Sequence, residues 1–361
     1  MPVSWQNKRE GGFKMKRKCL IVYIVPLVLF LAPFWGECAD KAASLQKLYQ
    51  AAKQEGKIVV HSGATIELFT PLADLFKKRY PGIEVQLIAV PSPKIATQII
   101  TEAAAGKVTI DVAKGEVEYY TNELMKRNLM RKINLSDVMD VDPANVYLDG
   151  RLYQEDNKVT VIGYNSNLVP PADVPKTWED LLNPKWKGGK MFFTQQGLSL
   201  SALWPEWGES KTTEYLKKLK EQGLVITISP RPGADKLANS EAYLACTFAS
   251  TLYTVLKAGA PVAISPISPQ MVLVAGTYAM ENSPHPNAAK LWVAWSQTPE
   301  ARAARWEYIG ETMAKPPEST AVTKLIHEKG LKLWYVATPE IAAMRGENQT
   351  KTQKLLGIVP K

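Results

Sequence analysis

The chain has 361 residues, 46% of them hydrophobic and 22% charged, and a formal net charge of +9. That length suits two domains, and the composition is that of a globular protein rather than a disordered one. Residues 1–38 hold Lys8, Arg9, Lys14, Lys16, Arg17 and Lys18 against Glu10 and Glu37, a net +4, so +5 remains for the rest. No basic run is interleaved with aromatics, which argues against a nucleic-acid partner.

The front end has the form of a signal peptide. Lys14 to Lys18 is a positive segment, Cys19 to Trp35 is apolar and uncharged, and Gly36-Glu37-Cys38 places small residues before a cleavage point after Cys38. Met15, where these features begin, is a candidate start. The alternative is a retained N-terminal anchor. No later segment approaches the ~20 apolar residues of a spanning helix.

Behind the leader, Ala42 to Gln54 has helical spacing through Leu45, Leu48 and Tyr49, and Gly56 stops it. Lys57 to His61 is expected to be a strand, Leu68 to Tyr80 a helix, Ile83 to Ala89 a strand, Ile95 to Ala105 a helix and Thr109 to Ala113 a strand. Lys158 to Tyr164 alternates as a strand, and Asn165 to Val174 is a proline-punctuated loop. Thr177 caps a short helix that Asn183-Pro184 ends. Then follow a strand at Gly189 to Thr194, a helix at Thr213 to Gln222 and a strand at Leu224 to Ser229. Pro230-Arg231-Pro232-Gly233 reads as a turn before a helix from Asp235. Ala242 to Phe248 is a buried strand and Ala249 to Lys257 a helix. Beyond Arg302 the chain reads as helical, broken at Pro316-Pro317, with a polar final stretch from Asn348. Strands alternating with helices indicate an α/β fold with a mostly parallel sheet.

Several phrases within this pattern resemble the extracellular solute-binding proteins of ABC importers, in the ferric-iron and small-molecule group. They are LYQAAKQEGKIVVHSGA, LFKKRYPGIEV, TIDVAKG, a GYN strand followed by DVPKTWEDLL and NPKWKGG, then GAPVAISPISPQMVLVAG and SPHPNAAKLWVAW, in register from about Ala42 to Arg302. The resemblance implies a two-lobed periplasmic-binding-protein fold of type II. Two extended crossings, near Val159 to Tyr164 and Val262 to Ser268, would join the lobes around a cleft. Lobe 1 would comprise 39–161 with 265–310, lobe 2 would comprise 162–264, and 311–361 would be a C-terminal helical segment.

In open α/β sheets ligands sit beyond the carboxyl ends of strands, against helix N-termini that favour anions. The candidate contacts are Ser62, Gly63, Ala64 and Thr65 after the first strand, Lys114, Gly115 and Glu116 after the third, and Tyr164 on the crossing. On lobe 2 they are Gln195, Gln196, Arg231, Ser250 and Thr251. Ser62 and Thr65 also suit plain helix caps, Lys114 and Arg231 plain surface positions. Trp204 and Trp207 suit either a stacking wall or a hydrophobic flap.

Cys246, the one cysteine behind the leader, reads as a buried thiol, His61, His285 and His327 are scattered, and no catalytic, phosphate-binding or metal motif appears. A non-enzymatic protein without cofactor or metal is therefore expected. The iron-binding branch implies adjacent tyrosines near Ala249 to Thr251 and a histidine at Thr65, and neither is present. The expected ligand is a small, anionic organic solute, and the expected partner a membrane permease, with the protein a periplasmic monomer. A ferric or iron-chelate binder using Glu116, Tyr119, Tyr120 or Tyr253, and an exported enzyme, are the alternatives.

Overall fold

The computed structural model describes residues 32–62, 66–90, 92–310 and 321–358. By contacts the chain divides into residues 1–39 and Asp40–Lys361, and the architecture below is that of the second unit. In chain order the elements are α1 (Ala32–Glu55), β1 (Lys57–His61), α2 (Ile66–Arg79), β2 (Glu84–Ile88), α3 (Ser92–Ala104), β3 (Val112–Glu116), α4 (Tyr119–Lys126), β4 (Val146–Tyr147) and β5 (Leu152–Asn165). Then come β6 (Met191–Thr194), α5 (Leu203–Lys220), β7 (Val225–Thr227), α6 (Pro230–Ala238), β8 (Leu244–Phe248), α7 (Ala249–Lys257), β9 (Val262–Ile264) and β10 (Gln270–Ala279). The chain finishes with α8 (Pro286–Ser296), α9 (Pro299–Ile309), α10 (Ala321–Glu328), β11 (Leu333–Val336) and α11 (Pro339–Leu356). α1 begins inside the apolar leader run and is continuous across Cys38. The remaining leader features and Pro316-Pro317 lie outside the described residues. No described helix is long and apolar enough to cross a membrane.

The described strands join one sheet with the main path β2-β1-β3-β10-β5-β8-β6-β7, to which β11 adds on β10 and β4 and β9 on β5. β5 is its axis. Its first part pairs with β10 as far as Val159↔Val272, and from Thr160↔Phe248 onward it pairs with β8, then with β9. One 14-residue strand thus belongs to two half-sheets and changes partners between consecutive residues. The return passes through residues 265–269, between β9 in one half and β10 in the other. At the change of partner the strands are fastened by side chains. Gln270 Oε1 accepts from Thr160 Oγ1 (3.0 Å) and from Ser199 Oγ (2.8 Å), while Met271 N donates to Thr160 Oγ1 (2.9 Å). Thr160, Ser199 and Gln270 are all fully buried.

Three apolar clusters cover the sheet. One joins α1, α2, α8 and α9, with Phe76 between Trp292 (4.8 Å) and Trp295 (5.4 Å). A second joins α6, α7 and α10. The third runs through α3, α4, α5 and α11 and draws residues from both half-sheets. The register shift of β10 on β5 falls at Gly276, where a Cβ would lie 2.1 Å from the Tyr153 carbonyl oxygen, so only glycine fits.

The structure corrects several sequence-based boundaries. β5 begins at Leu152, because the polar run Gln154 to Asn157 is paired and buried rather than looped. β3 is shifted to Val112–Glu116, since its polar end pairs with β10. Pro230 to Gly233 opens α6 instead of forming a turn, with proline tolerated in a first turn that needs no donor. Beyond Arg302 the chain contains β11, which pairs with β10, and its final stretch is held within α11.

Two outcomes follow. Gln270→Leu removes the acceptor that Thr160 and Ser199 share, leaving Thr160 the Met271 carbonyl (3.1 Å) and Ser199 the Cys246 sulfur (3.4 Å), and is expected to lower stability by about 1–2 kcal/mol in denaturant titration; no shift in midpoint would show that the fastening is idle. His61 is buried at the end of β1, and burial lowers its pKa. The unfolded chain then binds a proton, below its ordinary pKa near 6.5, that the folded chain refuses. Stability is expected to fall as pH drops through that value, by at most about 1.4 kcal/mol per unit, and to fall less in His61→Gln. Parallel profiles would contradict this.

Candidate solute site

Strand direction brings several strand ends together. β1 and β3 are parallel, and β10 is antiparallel to both β3 and β5, so β1, β3 and β5 run toward the partner change at Val159–Thr160. From the other side β8 is antiparallel to β5, and β6 is parallel to β8. The carboxyl ends of β1, β3, β6 and β8 therefore all aim at one junction, where loops lead into α2, α4, the 3-10 turn Ser199–Ala202 and α7.

Ser62 sits at this junction but is buried, with its amide donating to Ile88 O (3.0 Å). Gly63, Ala64 and Thr65 lie outside the described residues. Lys114, Gly115 and Glu116 are strand residues, not loop residues. Lys114 is also neither solvated nor open to an anion, because its ammonium lies 2.6 Å from Asp156 with both side chains buried. On the same strand of β5, Glu155 pairs with Arg305 of α9 (3.1 Å) and accepts from Thr277. Two buried carboxylates thus face two buried cations, which removes the large cost of burying either alone.

Tyr164 lies away from this junction. It pairs with Leu244 at the far end of β8, four residues or about 13 Å beyond Thr160, away from the strand ends. Arg231 is exposed and ion-paired to Asp235 one turn on (2.8 Å), so it is a surface helix residue. Gln195, Gln196, Ser250 and Thr251 remain at the junction, half-buried. Gln195 N donates to Thr227 O (2.8 Å), and Gly197 turns the loop with φ 57°. Trp204 is buried, donating Nε1–H to Thr352 Oγ1 (2.9 Å), and Trp207 packs edge-on to Tyr215, so both belong to packing rather than to a flap. Tyr253 stacks on Trp306 at 5.0 Å, which commits its ring to the core. The side chains of Tyr119 and Tyr120 lie outside the described residues.

Helix ends differ according to where they point. α9 and α11 are capped by Thr298 and Thr338 hydroxyls, and α8 takes the Glu55 carboxylate on the amides of Asn287 (3.0 Å) and Ala288 (2.8 Å). α7, which starts at the junction, is headed by Phe248 and has no side-chain cap. α5 and α6 also lack one, but α5 continues directly out of the 3-10 turn Ser199–Ala202, and the prolines of α6 at 230 and 232 remove two donors. The first-turn amides of Ala249, Ser250 and Thr251 are therefore the open positive end of a helix dipole at the junction. Glu118, which heads α4, was not singled out from sequence. It is buried against Arg345 of α11 (2.7 Å), a partner too distant in the chain for spacing to reveal.

The pattern of the SBP_bac_8 family, bacterial extracellular solute-binding proteins, matches residues 72–324. The chain is 26% identical over 191 residues to the Fe(3+)-binding periplasmic protein of Serratia marcescens, and that match spans 51% of this chain and 55% of the relative. Iron-bound HitA from Pseudomonas aeruginosa superposes with a TM-score of 0.69 at 21% identity, covering 83% of this chain and 99% of HitA. AfuA from Actinobacillus pleuropneumoniae, with exogenous fructose-6-phosphate bound, superposes with a TM-score of 0.67 at 18% identity, covering 84% of this chain and 99% of AfuA. These likenesses show the fold, that of type II periplasmic binding proteins. With 72–324 matched, the chain belongs to the bacterial extracellular solute-binding proteins.

Proposed function

We propose that the protein captures a small organic anion between two lobes that meet at Val159–Thr160, and hands it to a membrane permease without chemical change. The observation that carries this reading is the uncapped N-terminus of α7 at the junction, in a chain that caps α8, α9 and α11 with side chains. A carboxylate or phosphate accepts from such amides without a counter-cation. The neutral lining of Gln195, Gln196, Ser250 and Thr251 supplies directional hydrogen bonds to hydroxyls of the same solute. Export to the periplasm accords with the leader-like segment and with the family.

Lobe closure follows from the shared strand. Lobe 1 would comprise Asp40 to Val159 and again Gln270 through β11, and lobe 2 the part between, with the two crossings as hinges. A solute stabilises the closed arrangement only by touching both lobes, so contacts from the β1 and β3 ends would complement those of α7.

The Serratia relative raises a ferric reading. Hard ferric iron favours phenolate and carboxylate oxygens. Ser250 and Thr251 supply neither, and Tyr253 is stacked on Trp306. The organic anion is therefore preferred.

A thermal-shift panel of fructose 6-phosphate, citrate, ferric citrate and ferric ion decides between them. An anion at a hundredfold excess over its Kd adds about 2.7 kcal/mol, and a rise in Tm of about 5 °C is expected from fructose 6-phosphate or citrate. Ser250→Trp is expected to abolish that rise while leaving the unliganded Tm within about 2 °C, a surface-like cost. A shift with ferric ion alone, with a charge-transfer colour, would overturn the reading.

A further inference from the structure

α11 runs from one half-sheet to the other. At its start Pro339 O accepts from Asn122 Nδ2 of α4 (3.1 Å), and Arg345 NH1 meets Glu118 Oε2 (2.7 Å) where the β3 loop turns into α4. At its end Gln353 Nε2 donates to Gln195 O (2.8 Å), in the loop after β6. Thr352 accepts from Trp204, and Lys351 reaches Glu209 (2.9 Å) and lies over the Trp204 ring. At 18 residues the helix spans about 27 Å, long enough to bridge both loops.

Its buried side is unusual in kind. Ala342, Arg345, Asn348, Thr352 and Leu356 are all buried and recur every three or four residues, one face of the helix. Three of the five are polar. A helix that merely covered a core would bury an apolar stripe. This one buries directional groups, and its bonds at either end go to the segments that follow β3 and β6.

We propose that α11 is a strap that positions the two solute loops, one in each lobe, with Arg345 and Gln353 as its positioning residues. Neither is a solute contact. Arg345 acts through Glu118, at the head of α4. Gln353 acts through the carbonyl of Gln195. Because both ends belong to one helix docked along one face, they undock as a cooperative unit, and loosening either end loosens the loop at the other. The functional weight of the strap rests on the reading of these loops as solute-facing.

Amide hydrogen exchange on the full chain without solute tests the coupling. Glu118→Gln with Arg345→Met removes both members of the buried pair, so no lone charge is left inside. Exchange at 117–122 is expected to quicken, and so, at least fivefold, is exchange at 195–199 in the other lobe. In Gln353→Leu the reverse holds: 195–199 quickens locally, and 117–122 follows. Acceleration confined to the mutated end, in either variant, would overturn the strap. If the double variant exchanges globally, Gln353→Leu decides alone. Confined exchange leaves the solute reading standing, whereas coupled exchange with no thermal shift from either anion would retain the strap and remove the solute.

Discussion

The change of partner along β5 is the constraint on which the rest depends. A strand can pair on two edges only, and this one gives its first part to β10 and its second to β8 and β9. Strands on both sides are thereby oriented toward the same point, because β8 must run against β5 while β3 runs with it. The convergence of strand ends is a consequence of direction rather than of any special residue. Four loops arrive at Val159–Thr160 whatever their composition.

Sharing a strand has an electrostatic consequence. The stretch Gln154 to Asn157 is polar yet buried at the middle of the sheet. Its two carboxylates are matched by Lys114 from β3 and Arg305 from α9, elements that reach β5 from both sides of it in the sequence. Removing one partner would strand a charge inside, while the complete set holds β3, β5 and α9 in one arrangement. The lysine that looks most suited to an anionic solute is therefore already occupied by Asp156.

This explains which features were legible in the sequence. α7 was readable over its whole length, since its apolar spacing follows a buried strand and ends at a lysine before glycine. The crossing strand was readable from Lys158 onward, where its apolar alternation begins, and not before, because local pattern cannot show that a polar run has distant partners. The same blindness placed Lys114 in a loop. α11 is a different case. Thr338 followed by Pro339, with Gly357 just past the end, is a clear start and stop, but a polar helix lacks the apolar stripe by which docking is usually recognised. The Gln195 and Ser250 loops were legible as loops after strands because of their small and amide residues, although their convergence is a property of topology.

In the proposed function two lobes, hinged where β5 changes partners, close on a small organic anion at the head of α7. Small-angle X-ray scattering of the chain, with and without whichever of citrate and fructose 6-phosphate stabilises it, reads that closure. The radius of gyration is expected to fall on adding the solute and to stay put in Ser250→Trp. An unchanged radius for the wild-type chain under stabilising solute would contradict it.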